Sequence, residues 1–146
     1  RMIMYDEADD FNLRNGMHTE SEHPYSSECS HEMPVRADGT SSCLWLRFDP
    51  RSCTIEGEAH LEVWADGKLL HTYSGPKEKW PKKPLVLSAS KVTIRFVVNM
   101  ASYKANTTSP NGRKGGNWMS KAFGYSCEVW CWSKATSVLP QEGHNR

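Results

Sequence analysis

Apolar and polar residues alternate through the middle of this chain at a period of two, the pattern of an extended strand whose successive side chains point to opposite faces. Leu44, Leu46 and Phe48 share one face against Trp45 and Arg47, and the run stops at the turn signal Asp49-Pro50. Leu61, Val63 and Ala65 alternate with His60, Glu62 and Trp64, and Ala65-Asp66-Gly67-Lys68 then leads into LLHTYSG. Asp66-Gly67 between two such runs predicts a hairpin, because glycine accepts the positive φ that a tight turn demands. LVLSA is followed by KVTIRFVVN, in which Val92, Ile94, Phe96 and Val98 share a face opposite Thr93 and Arg95, the clearest strand in the chain. FGYSCEVWCW sets Tyr125, Cys127, Val129 and Cys131 against Ser126, Glu128, Trp130 and Trp132 and predicts a closing strand covered at least partly on both faces.

The segments between these runs are turn-rich. GPKEKWPKKP, with three prolines and four lysines, predicts a surface loop, since proline cannot serve a central strand. Residues 100–118 concentrate Asn, Ser, Pro and Gly and predict a long exposed loop. Residues 1–19 lack any sustained period and read as a linker or extended arm, residues 20–134 as the folded domain, and residues 135–146 as a polar tail. No stretch reads as a helix, and six or more short strands predict an all-β sandwich or barrel with little helix.

Composition narrows the function classes. A chain of 146 residues is long enough for one self-sufficient core, and with 38% apolar residues it has no run near the roughly 20 needed to span a bilayer. A net charge of +1 provides no global field to draw nucleic acid or an acidic membrane surface. The chain opens at Arg1 with no cationic-then-apolar leader pattern and reads as a piece of a longer protein. Cys29, Cys43, Cys53, Cys127 and Cys131 are odd in number and contain no repeated CxxC, which predicts mostly free thiols in a reducing compartment.

The succession Leu46-Arg47-Phe48, Leu61-Glu62-Val63 with Asp66-Gly67, Ser74-Gly75, Val92 to Val97 and Phe123-Gly124-Tyr125 resembles the CUB domain. That resemblance implies a jelly-roll β-sandwich. Glu20-Ser21-Glu22-His23-Pro24-Tyr25, Phe48-Asp49 with Cys53-Thr54, and Gly124-Tyr125 are similar to the CUB-like domains of very large intracellular ubiquitin-ligase-type proteins, with Phe123 where those carry tryptophan. On this resemblance the domain is expected to be an intracellular, non-catalytic protein-interaction or scaffold module. The alternative is an extracellular CUB or carbohydrate-binding module glycosylated at the N-x-T triplet Asn106-Thr107-Thr108. Calcium-binding CUB domains use an acidic residue at a position corresponding to the neighbourhood of Ala59 and an aspartate near Asn99, so the resemblance implies that this site is absent here. SEHPYSSEC corresponds to the opening strand, with Tyr25 packed on the frame and His23 as a structural hydrogen-bonding residue; Asp66, Gly67, Gly124 and Tyr125 are likewise expected to be structural.

Candidate chemistry is sparse. Cys29-Ser30-His31 with His18 and His23 offers only a fragment of a zinc site, so no metal or cofactor is expected. No nucleophile-elbow, metalloprotease or phosphate-loop motif occurs, so no catalysis is expected of this domain. Trp80 among Lys77, Lys79, Lys82 and Lys83 is the arrangement in which a base could stack while lysines meet phosphates, although a lysine-rich loop ordinarily serves solubility, and nucleic acid is not the expected partner. The residues expected to meet a partner protein are Trp64, Trp80, Lys79, Lys82, Lys83, Arg113 and Trp118, with Trp64, Trp130 and Trp132 on the polar register as a candidate aromatic patch.

Overall fold

The computed structural model describes residues 17–36, 42–108, 113 and 117–133. Eight strands are present among them: β1 (Met17–Glu20), β2 (His31–Arg36), β3 (Ser42–Phe48), β4 (Ala59–Ala65), β5 (Lys68–Tyr73), β6 (Leu85–Leu87), β7 (Lys91–Val98) and β8 (Ser126–Ser133). They form two antiparallel sheets ordered β1-β8-β3-β6 and β2-β7-β4-β5. The chain crosses between the sheets at every connection except the β4–β5 hairpin, which is the jelly-roll path. The protein is an all-β jelly-roll sandwich with little helix.

Period-two patterning sets the register. Leu46 lies opposite Val129 and Val63 opposite Ile94, and Leu44, Leu46, Leu61, Val63, Val92, Ile94 and Phe96 are fully buried between the sheets. Burying such a side chain contributes about 1.5–3 kcal/mol, and a one-residue slip would expose a whole face, so the pairing is strongly fixed. In the β4–β5 hairpin both turn residues have positive φ, 48° at Asp66 and 82° at Gly67. Asp66 Oδ1 also accepts from Ser90 Oγ at 3.0 Å and the Lys91 amide at 3.1 Å, fastening the turn to the start of β7.

Two expectations are corrected, and one strand appears that the sequence did not announce. The opening strand is β1, Met17–Glu20, inside the region read as an arm, whereas SEHPYSSEC forms a turn containing a cis His23-Pro24 peptide. β2 was hidden by Pro34, which would break a central strand but is tolerated here because β2 is a sheet edge. The region 100–118, expected to be an exposed loop, contains helices α1 (Met100–Thr108) and α2 (Asn117–Lys121). Asn99 caps α1, its Oδ1 accepting from the Ser102 amide at 2.9 Å, while the Thr107 and Thr108 hydroxyls bond back to Tyr103 and Lys104 carbonyls. Helix-capping residues and turn formers are the same residue types, so composition alone misread this segment. No helix among the described residues is long and apolar enough to cross a membrane.

Candidate functional site

Antiparallel pairing brings the β1–β2, β3–β4, β5–β6 and β7–β8 connections to one end of the sandwich. Backbone bonds join them: Tyr25 N to Ala122 O at 3.0 Å, Cys53 and Gly124 reciprocally at 2.8 Å, and Thr54 N to Gly75 O at 2.9 Å. Gly124 has φ +90°, and a Cβ there would run into the Ser21 side chain and stand 3.2 Å from Glu22 O.

At the centre of this end lies a buried carboxylate. Glu58 is 0% exposed; its Oε1 accepts from Tyr25 OH at 2.7 Å and Arg113 Nη2 at 2.8 Å, and its Oε2 from Asn106 Nδ2 at 2.8 Å. The Arg113 guanidinium carbon stands 5.1 Å from the Tyr103 ring centre and 4.8 Å from that of Trp118. A carboxylate stripped of water is tolerable only with a cation and hydrogen bonds around it, and all of these are supplied internally. Burial, reinforced by Glu58, pushes the Tyr25 phenol far above its ordinary value and keeps it a donor. Burial opposes the Arg113 charge, but the Glu58 hydrogen bond holds the guanidinium above its usual value. The Tyr25 hydroxyl also accepts from the Ile55 amide at 3.1 Å, extending the cluster into the β3–β4 loop.

Beside the cluster opens a cleft of about 550 Å³. Its apolar floor is Cys53, Ile55, Pro76 and Phe123, and its rim carries Arg51, Glu56, Lys77, Glu78 and Lys121. Arg51 is committed to Asp49, with Nε and Nη2 at 3.0 and 2.9 Å, and lies 4.9 Å over the Phe123 ring. Glu56 is committed to Lys79 at 3.0 Å. Among the described residues the side chains of Lys77, Glu78 and Lys121 have no hydrogen bond or ion pair. The Cys53 thiol faces the Ser120 and Lys121 carbonyls at 3.0 and 3.4 Å, and burial raises its pKa, which makes it a neutral donor and not a nucleophile.

The sequence-selected residues are distributed differently from expectation. Trp80 is 4% exposed, donates Nε1–H to Gly75 O at 3.2 Å, stacks on Tyr73 and meets Phe48 edge-on, so it belongs to the core and cannot receive a base or a partner. Lys79 pairs with Glu56, Lys82 donates to Lys77 O at 2.6 Å, and Lys83 is exposed. Arg113 is no loop-edge cation; it meets Trp118 within the Glu58 cluster. Trp64 lies half-buried on the outer face of β4, near the Asp66-Gly67 turn, and donates to Glu62 Oε1 at 2.8 Å; it does not line the cleft. Trp130 is partly exposed under Arg47, 5.1 Å away, and the side chain of Trp132 lies outside the described residues.

His23 stacks on Phe123 at 4.0 Å, with Nδ1 2.7 Å from Phe123 O and Nε2 2.8 Å from Glu20 Oε1. Tyr125 is fully buried, its hydroxyl 2.8 Å from Thr19 Oγ1 and 2.6 Å from His31 Nε2. His23, His31 and Cys29 therefore do not converge, and no three metal-ligating side chains do so among the described residues. At the positions implied for calcium, Ala59 is buried and Asn99 caps α1; the buried acid is Glu58, one position earlier, and its charge is met by Arg113. Asn106 presents to Glu58 the amide nitrogen through which a glycan would be attached. Sequence reasoning missed Glu58 and Lys121, and singled out Lys77 only as one of the lysines around Trp80. Glu58 sits in the polar run Glu56-Gly57-Glu58 with no periodic signal, and the two lysines are distinguished only by lacking partners in space.

No protein-family model matches the sequence, and no curated protein matches it. Among solved structures the chain is similar to the CUB1-EGF-CUB2 domain of human MASP-1/3, at 12% identity and a TM-score of 0.55, over 81% of this chain and 42% of that one. It is also similar to the CBM51-2 and INT domains of Clostridium perfringens ZmpB, at 16% identity and a TM-score of 0.35, over 78% of this chain and 21% of that one. The strand order and the first of these likenesses define the class: a CUB-like jelly roll. The likeness is one of fold, and the chain spans less than half the length of the structures it matches.

Proposed function

We propose that this domain is a non-catalytic protein-interaction module that binds its partner through the cleft at the loop end, within a large intracellular protein of the ubiquitin pathway. The observation that carries the binding role is the cleft itself: an apolar floor of Ile55, Pro76 and Phe123 beneath the ammonium groups of Lys77 and Lys121, which are unmatched among the described residues. Concave, largely apolar sites with a few polar groups are where proteins take ligands, and loops on a rigid sandwich are where such sites are built. The ubiquitin-pathway context rests on the resemblance carried by Glu20-Ser21-Glu22-His23-Pro24-Tyr25. The reducing compartment rests on the odd number of cysteines and the lack of a repeated CxxC in the sequence.

The binding role is tested with a photo-crosslinking amino acid placed at Lys77 in the full-length parent, and at Leu69 on β5 as a control. A discrete partner captured from Lys77 and not from Leu69 is expected; capture only from Leu69, or from neither, overturns the assignment. Thiol counting in denaturant without reductant addresses the compartment. Five free thiols are expected, and two disulfides would overturn the intracellular assignment.

A further inference from the structure

The chemistry of the partner can be read from the charges the cleft leaves over, an inference that rests on the binding role proposed above. Of the rim charges, Arg51 is matched by Asp49 and Glu56 by Lys79. Among the described residues, Lys77 and Lys121 remain as two positive groups against the single negative group of Glu78, a surplus of one positive charge over an apolar floor. The two lysines come from different walls, Lys77 from the β5–β6 connection and Lys121 from the end of α2. The floor and the α2 wall are braced from behind. The Tyr25 hydroxyl holds the Ile55 amide, and Arg113 packs on Trp118 one turn before Lys121 on α2.

We propose that the cleft takes an extended peptide segment with one apolar side chain, seated on Ile55, Pro76 and Phe123, and one adjacent carboxylate, held between Lys77 and Lys121. A volume of about 550 Å³ lies within the range of small-ligand sites, enough for the side chain and its flanking backbone. A surplus of one positive charge matches a monoanion; a phosphate dianion would leave a negative charge uncompensated beside Glu78. A free C-terminus and an Asp or Glu side chain offer the same carboxylate chemistry.

The minimal probes are N-acetyl-leucine, which has the apolar side chain and the carboxylate, and N-acetyl-leucinamide, which lacks the charge. Amide shifts are followed by two-dimensional NMR on the 146-residue chain. N-acetyl-leucine is expected to shift Ile55, Glu56, Lys77 and Phe123 saturably in the millimolar range, and the amide to bind at least about fivefold more weakly. The double substitution Lys77→Gln with Lys121→Gln is expected to bring the acid down to the level of the amide while leaving the amide's own binding unchanged. Equal binding of acid and amide, no saturable shift with either, or tighter binding of inorganic phosphate than of N-acetyl-leucine overturns the proposal. If the probes fail while Lys77 still crosslinks to a protein partner, the module role stands and the carboxylate assignment falls. A second arm separates the two carboxylate sources: capped peptides ending in Leu-COOH are compared with internal Glu-Leu peptides closed by an amide.

Discussion

Arg113 lies over Tyr103 and Trp118 and bonds Glu58; Arg51 lies over Phe123 and bonds Asp49. The chemistry of the two sites is the same, and both sit in connections at the loop end of the sandwich. Their side chains differ in exposure, 13% and 0% for Arg113 and Glu58 against 72% and 25% for Arg51 and Asp49. In water the attraction of an ion pair is screened and offset by side-chain entropy, whereas a buried charge that loses its partner has nothing to replace it. The buried pair therefore holds three connections in place, and the exposed pair shapes the cleft rim without carrying the fold. Between them stands Glu62 on the outer face of β4, 14% exposed and bonded by His60, Trp64 and the half-exposed Arg95.

The largest break in this comparison is Arg113→Ala, which leaves Glu58 buried and uncompensated. It is expected to cost about 3–5 kcal/mol in urea denaturation and to lower the melting temperature by roughly 10 °C or more. Replacing both partners, Glu58→Leu with Arg113→Met, is expected to recover most of that loss, because the penalty lies in the unpaired charge. A double variant no more stable than Arg113→Ala would show that the cation's ring contacts, not the charge pairing, hold the connections.

Glu62→Gln is expected to cost about 1–2 kcal/mol at pH 7, discounted for the exposure of Arg95. Burial pushes the Glu62 pKa up, but the hydrogen bonds from His60, Trp64 and Arg95 outweigh it and hold the group below its ordinary 4.5. A folded value below the unfolded one gives stability that is present above 4.5 and lost as the pH falls through the folded value. The difference between wild type and Glu62→Gln in denaturation midpoint should therefore shrink as the pH is lowered below 4.5; a difference that stays constant would sink the assignment.

His23→Ala removes the stack on Phe123 and two polar contacts at a partly exposed site, with an expected cost of about 1 kcal/mol and no change in metal content by elemental analysis. Loss of a bound metal would overturn the structural role. Arg51→Ala is expected to produce the smallest effect, a melting temperature indistinguishable from wild type. A large drop there would erase the distinction between the two arginine sites.

The strands were legible wherever one face meets the core and the other meets water, as in β3, β4, β7 and β8, because burial on one side writes a period of two into the residues. β2 was not, since the proline that marks an edge looks like a strand breaker until the sheet order is known. The helices between β7 and β8 were lost among turn formers for a similar reason: their stability comes from the Asn99 cap and from the anchoring of Tyr103, Asn106 and Trp118 around Glu58 and Arg113, not from an apolar stripe. Trp80 shows the reverse error, a tryptophan between prolines and lysines that reads as exposed and is folded inward because its indole finds the Gly75 carbonyl and the Tyr73 ring.

The sequence by itself determined the class of fold and the tight β4–β5 turn, because alternation and the Asp66-Gly67 pair act over a few neighbouring residues. The site was decided only in three dimensions. Tyr25, Glu58, Asn106 and Arg113 span most of the chain, and Lys77 and Lys121 become distinctive only once Arg51 and Glu56 beside them are seen to be paired and Glu78 alone is left to face them. Charge pairing and burial are properties of neighbours in space, and no local pattern records them.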